Sequence, residues 1–334
     1  MQLIDPRGDV RLGRFDEAVE LINHTDYELW TPMDRRAGPI RRRLAFNQFE
    51  FFGMLSADMV IGAAISDVGY VSAAFAYVHD RKTGRSVVVQ QKLPLGLGAR
   101  MVQTPESGIS EFVGLGLRIE MSALGNARRL RIRSRRLHLD ATLSEGQRPP
   151  MRVCTRAGET GWTFTRKAAG HAIAGTATVD GEALDLGEQR LHGIHDWSAG
   201  FMRRETYWNW AACASAQPNG AVLGLNLSSG VNETSFTENS LWLGERCHRL
   251  PQVAFHYDRR DLSLPWQVKD TEGKVSLTFT PALTAHRERI NAIVVASNFS
   301  QLFGHYTGQI ELPTGDTVTI QDAPGFAERH FARW

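Results

Sequence analysis

The chain has 334 residues, 42% hydrophobic and 22% charged, with a formal net charge of +2. That balance argues against a disordered chain and against a polyanionic partner. The length implies two domains, or one large all-β unit, able to bury its own core. Three cysteines, Cys154, Cys213 and Cys247, form no CxxC pair, so a zinc ribbon or a thioredoxin-type motif is excluded.

The chain opens MQLIDPRGDVRLGRFDE, with charges where a signal peptide needs an apolar run. No apolar stretch approaches the ~20 residues of a membrane span. The expectation is a cytoplasmic protein without integral membrane association. Short alternating segments follow. Candidate strands in the first half are Phe46–Ser56, Asp58–Ser66, Ala73–His79, Ser86–Leu93, Phe112–Ser122, Arg128–Leu139 and Met151–Arg156. Residues 128–136, RRLRIRSRR, alternate Leu130 and Ile132 with arginines. This is the pattern of a strand with one solvated face, so nucleic acid is not an expected partner.

Gly158–Gly187 is rich in Gly, Ala, Thr and charges, with few large apolar groups. It reads as edge hairpins joining two halves, which places the domains at 1–165 and 166–334. Beyond it the candidate strands are Tyr207–Ala214, Ala221–Ser229, Phe236–Leu243, Gln252–Tyr257, Val275–Pro281, Ile290–Ser297, Gly304–Leu312 and Asp316–Gln321. Many evenly spaced strands predict an all-β sandwich or barrel. Residues 51–84 and 207–246 echo one another. Each has an aromatic-led strand, then an apolar strand with a glycine (Gly62, Gly224), then a strand with an aromatic (Tyr77, Trp242). Two copies of one β-unit account for this, as does chance likeness between amphipathic hairpins.

The segment HGIHDWSAGFMRRETYWNWA, residues 192–211, concentrates polar chemistry. His192, His195 and Asp196 admit three readings: a metal site, an acid–base cluster, or polar groups that satisfy one another. A metal site needs a third ligand from elsewhere, and no H-E-x-x-H motif is present. Its glycines make the segment a loop leading into a strand. An Asp beside a Trp can be buried and stay protonated as a proton donor, with His195 tuning it. Equally, Asp196 can pair with Arg203 or Arg204. A period of two puts Trp208 and Trp210 on one face, as a flat wall inside a barrel or as plain core. Asn226 lies in an apolar strand, and only one of Glu238 and Asn239 can face inward with it. Glu328, near the C-terminus, reads as a structural partner of Arg204 or Arg329. No phosphate-binding loop, dinucleotide fingerprint or nucleophile elbow follows the right elements.

The series HDWSAG, RETYWNWA, VLGLNLSSGV, ENSLWLGERCHRL, SNFSQLFGHYTGQI and GFAERHFARW resembles the DUF2804 family. More distantly, the W-x-W strand and the late G-x-x-E resemble the double-calycin proteins. These include the carotenoid 1,2-hydratase and AttH-type families and related cyclases. The resemblance implies two tandem lipocalin-like barrels or half-barrels packed together. An apolar ligand would bind in the second or at the interface.

The combined expectation is a cofactor-independent enzyme acting on an isoprenoid- or lipid-like molecule. The reaction would be acid–base chemistry at a double bond: hydration, isomerisation or cyclisation. Asp196, His195 and Glu238 are the candidate catalytic residues. Trp208, Trp210, Asn226, Asn239, Arg204 and Tyr77 are the candidate ligand-binding residues, and no metal is called for. The alternative is a non-catalytic carrier of a hydrophobic ligand.

Overall fold

Alternation of apolar and polar residues builds strands along nearly the whole chain. The computed structural model describes residues 1–217, 220–231, 236–292 and 295–334. Among them, helix is confined to Pro39–Ala45 and the turn His24–Asp26, and no helix is long and apolar enough to cross a membrane.

Among the described residues the strands form two antiparallel sheets of 14 and 9 strands. The first runs from the edge Arg85–Pro94 through Val71–Asp80, Met59–Asp67 and Phe46–Leu55 to His192–Phe201. It continues through Gly161–Val179, Leu137–Ser144 and Ala127–Ser134 to the far edge. The second runs from Arg246–Arg249 through Ser240–Leu243, Val222–Ser229 and Glu205–Ala216 to Thr317–Arg333. It then passes through Ala296–Glu311 and Val275–Asn291. The order is the same in both. Four strands meander outward, and the last long strand of each half returns to pair with the first.

Each sheet curls into a half-barrel. Val87 near one edge of the first sheet and Phe112 near the other share one core. Leu241 and Val268, toward opposite ends of the second, share another. The curl follows from bulges in unusually long strands. Register shifts occur at Ala169/His171, Pro281/Leu283, Thr284/His286 and Tyr306/Gly308, and each extra residue bends and twists its strand. The N-terminal segment plugs the end of the first half-barrel, where Leu3, Ile4, Val19 and Ile22 pack on Trp162, Phe164, Trp197 and Phe201. A third apolar layer lies between the sheets and includes Phe51, Ala64, Tyr77, Trp210, Trp242, Phe303 and Phe326.

The echo between the halves has a structural counterpart. Gly62 stands opposite Tyr77 and Gly224 opposite Trp242, in the same register. A Cβ on Gly62 would collide with the Tyr77 ring, and one on Gly224 with the Ala169 backbone of the facing sheet. Gly224 therefore sets how closely the sheets approach, while Gly62 makes room for the Tyr77 ring on the neighbouring strand.

Three expectations need correction. Residues 158–187 are not edge hairpins. They hold Gly161–Val179, a 19-residue strand central in the first sheet. Its first part is buried on both faces, with Ala168 and Ala169 closely packed, whereas its second part exposes one face at Ala172, Ala174 and Thr176. The boundary expected at 165/166 falls inside that strand, and the chain passes to the second sheet between Phe201 and Glu205. HDWSAG is not a loop but the middle of the strand His192–Phe201.

Gly224→Ala should destabilise the protein by about 1–3 kcal/mol, the usual range for overfilling a packed site, because the clash is with backbone. Urea unfolding measures it, and an unchanged midpoint would refute the close-approach role.

Candidate active site between the sheets

The strand His192–Phe201 lies between Gly161–Val179 and Phe46–Leu55. Successive side chains point to opposite faces. His195 enters the first half-barrel, where its Nε2 is 3.0 Å from Glu50 Oε1 and its ring meets Phe52 edge-on. Burial and the Arg128 and Arg166 guanidiniums hold His195 well below the ordinary histidine value. Burial pushes Glu50 up to about 7. Asp196 points the other way, into the space between the sheets. His195 therefore does not tune Asp196, and His192, three residues from His195, also points to the opposite face from it. Among the described residues no group of three metal-ligating side chains assembles.

The partner of Asp196 is Lys167, directly across on Gly161–Val179, and not Arg203 or Arg204. Lys167 Nζ lies 3.1 Å from Asp196 Oδ2 and 3.1 Å from Glu238 Oε1. It also sits 5.2 Å from the centre of the Trp210 ring, within cation–π range. Ser198 donates to Asp196 Oδ1 at 3.0 Å. Burial raises Asp196, and Lys167 only partly reverses this. Burial disfavours the Lys167 charge, but Asp196 and Glu238 outweigh it and raise Lys167 above its usual value.

The second sheet supplies the facing wall. Trp210 stands opposite Glu328, and Trp208 opposite His330. Glu328 accepts hydrogen bonds from Trp208 Nε1 at 2.8 Å and from Gln301 Nε2 at 3.1 Å. Gln301 in turn accepts from the Tyr77 hydroxyl. Burial pushes Glu328 up to about 7. The Trp208 hydrogen bond and Lys167 oppose that rise, and Asp196 adds to it. Burial lowers His330 to about 3, leaving a neutral ring near neutral pH.

A cavity of about 190 Å³ lies between these walls. Phe49, Phe75, Phe299, Trp208 and Trp210 line it, Asp196, Lys167, Glu238 and Glu328 form its buried charged patch, and the ion pair Lys92–Glu288 also borders it. The tryptophan wall thus faces the other sheet. The enclosed face of its own half-barrel carries Ala211, Cys213, Leu223, Leu225 and Leu227. Asn226 lies behind the wall, accepting from Trp210 Nε1 at 2.7 Å and donating to the Glu238 carbonyl at 2.9 Å.

Glu238 and Asn239 are both buried, because the strand begins only at Ser240 and the alternation expected from 236 does not apply. Residues 232–235 of that neighbourhood lie outside the described residues. Asn239 staples the backbone, accepting from Ser228 N and donating to the Pro251 carbonyl, each at 2.7 Å. Tyr77 stands behind the cavity rather than in its lining. Arg204 does not line it either, and donates to the Trp334 carbonyl at 2.6 Å. Glu328 takes its hydrogen bonds from Trp208 and Gln301 rather than from Arg204 or Arg329. Reasoning from sequence missed Lys167, Gln301 and His330, and it underrated Glu328. The available signal was the late G-x-x-E, whose closing strand aligns with the W-x-W strand at a period of two.

A family model described as "Domain of unknown function (DUF2804)" matches residues 3–334. The chain belongs to this family. No curated protein matches it. Among solved structures, this DUF2804 chain is similar to CghA, crystallised with Sch210972, at a TM-score of 0.54 and 10% identity. That match covers 86% of this chain and 88% of CghA, so the two share the calycin-like fold. Two further structures cover 86% of this chain. One is a putative AttH protein from Nitrosomonas europaea, with 92% of its own chain covered, TM-score 0.46 and 14% identity. The other is kievitone hydratase from Nectria haematococca, with 88% covered, TM-score 0.48 and 12% identity.

Lys167→Met should cost about 3–5 kcal/mol near neutral pH, since it strands two buried carboxylates. The loss should shrink as acid protonates Asp196, whose carboxyl is raised by burial, and a pH-independent loss would contradict the charge argument. Glu328 carries its own pH signature. Its folded value of about 7 lies above its ordinary 4.5. The folded state therefore binds its proton more tightly, and stability falls as pH rises from about 4.5 to about 7. Glu328→Gln should reduce the melting-temperature difference between those two pH values, and an unreduced difference would place the Glu328 titration elsewhere.

Proposed function

We propose that the protein is an enzyme carrying out acid–base chemistry on an apolar, isoprenoid- or lipid-like small molecule in the cavity between the sheets. The observation that carries this reading is Glu328, a carboxyl pushed up to about 7 inside a cavity walled by Phe49, Phe75, Phe299, Trp208 and Trp210. Such a group is half protonated near neutral pH, the optimum for donating and recovering a proton.

The two carboxyls have different environments, and this favours different roles. Glu328, bonded only by neutral donors, gives its proton to a carbon–carbon double bond or a carbonyl. Positive charge that develops there is stabilised by the π-faces of Trp208 and Trp210. Asp196, paired with the Lys167 ammonium, takes a proton from an attacking water or from the adjacent carbon. This moves the expected donor from Asp196 to Glu328. Gln301 and Tyr77 orient Glu328 from behind, and Asn226 orients Trp210. Every proton-transfer group comes from the chain, so the proposal calls on no metal or nucleotide.

The test begins with native mass spectrometry to recover a co-purifying small molecule. That compound is then incubated with protein in D2O. The native enzyme should place deuterium on carbon. Glu328→Gln should slow this by ~10²–10⁴, the scale of one general acid, while quenching of tryptophan fluorescence by the compound is unchanged. Binding without deuterium incorporation would instead favour the carrier.

A further inference from the structure

Not every polar group in the cavity is accounted for by the proton-transfer machinery. Asn47 and Thr163 both line it, and each is only 2% exposed. Among the described residues, neither Asn47 Oδ1, Asn47 Nδ2 nor Thr163 Oγ1 has a hydrogen-bond partner. Burying a polar group without a partner is costly, and the great majority of buried polar atoms are paired. The other polar residues of this wall follow that rule. Thr165 and Ser198 pair at 2.9 Å, and Asp196 pairs with Lys167.

The two unpartnered groups also belong together. Gly200 is the direct cross-strand neighbour of Thr163 on one side and of Asn47 on the other. The three residues form one row, and Gly200 adds no side chain between the two polar groups. Asn47 brings two N–H donors and a carbonyl acceptor, and Thr163 brings a hydroxyl that donates or accepts. Both are neutral. They suit an uncharged oxygen rather than a carboxylate, whose desolvation they cannot offset. The row lies four strand residues from the Phe51–Asp196 row, about 13 Å at the rise of a strand.

We infer that Asn47 and Thr163 form a subsite for a carbonyl or hydroxyl oxygen at one end of an elongated, otherwise apolar ligand. The inference rests on the cavity being the ligand site. It adds that the molecule is amphiphilic, with its oxygen function about 13 Å from the level of the charged patch.

The test uses three ten-carbon probes, 2-decanone, 1-decanol and decane, and reads binding from the change in total tryptophan fluorescence, to which Trp208 and Trp210 in the cavity lining contribute. The native protein should bind the ketone or the alcohol about tenfold more tightly than decane, the scale of one or two buried hydrogen bonds. The variant Asn47→Leu/Thr163→Val should bind all three alike, with decane affinity unchanged. Its melting temperature should hold or rise, because two unpartnered polar groups are replaced by apolar ones of similar size. Lack of preference in the native protein, preference retained in the variant, failure of all probes to bind, or a lower melting temperature would each overturn the inference. Because binding is read without turnover, losing the subsite leaves the Glu328 proposal standing. A fully active Glu328→Gln protein would likewise leave the subsite standing.

Discussion

Lys167 is the residue on which the site depends. Its ammonium is buried between Asp196, on the neighbouring strand, and Glu238, contributed by the second half of the chain. A buried ion pair is seldom a net source of stability, because desolvation offsets the attraction. What this triad does is fix geometry. It ties the central strands of the first sheet to the segment leading into Ser240–Leu243, beside the tryptophan wall. It also fixes charge. Asp196 is held close to its countercharge, whereas Glu328 is hydrogen-bonded by the neutral Trp208 and Gln301, and burial raises its carboxyl to about 7.

The surrounding frame is duplicated, whereas the site is not. Matching the pairs Gly62–Tyr77 and Gly224–Trp242 aligns the halves. In that alignment Asp196 and Lys167 correspond to Phe326 and Phe303. Ser198 and Thr165 correspond to Glu328 and Gln301. One half therefore presents an ion pair where the other presents two aromatic rings, and a carboxyl where the other presents a hydroxyl. Facing such surfaces across a cavity puts charged groups against apolar walls, the environment in which a carboxyl pKa moves furthest.

The polar cluster inside the first half-barrel has a different character. Arg166 bonds Glu145 and Glu106, Arg128 bonds Glu145, and His195 meets Glu50. These groups are paired with one another, under the plug made by the N-terminal segment. The same strand thus sends His195 into an enclosed polar cluster and Asp196 into the cavity.

The sequence by itself determined the β class, most strand positions and the alternation of faces, because a period of two is a local property of the chain. It also determined which residues share a face: Trp208 with Trp210, and Asn226 with Gly224. It carried the resemblance that proved right about the family. Only the tertiary structure decided which face of each strand is enclosed by its own half-barrel and which meets the other half, since both faces are buried and read alike. Only it decided that Asp196 pairs with Lys167, because cross-strand register joins residues far apart along the chain. The same holds for the elevation of Glu328, which arises from burial between two sheets that no local pattern reveals. The strand Gly161–Val179 shows the limit most clearly. Its small residues look like an exposed edge in one dimension, yet they permit close packing at the centre of the fold.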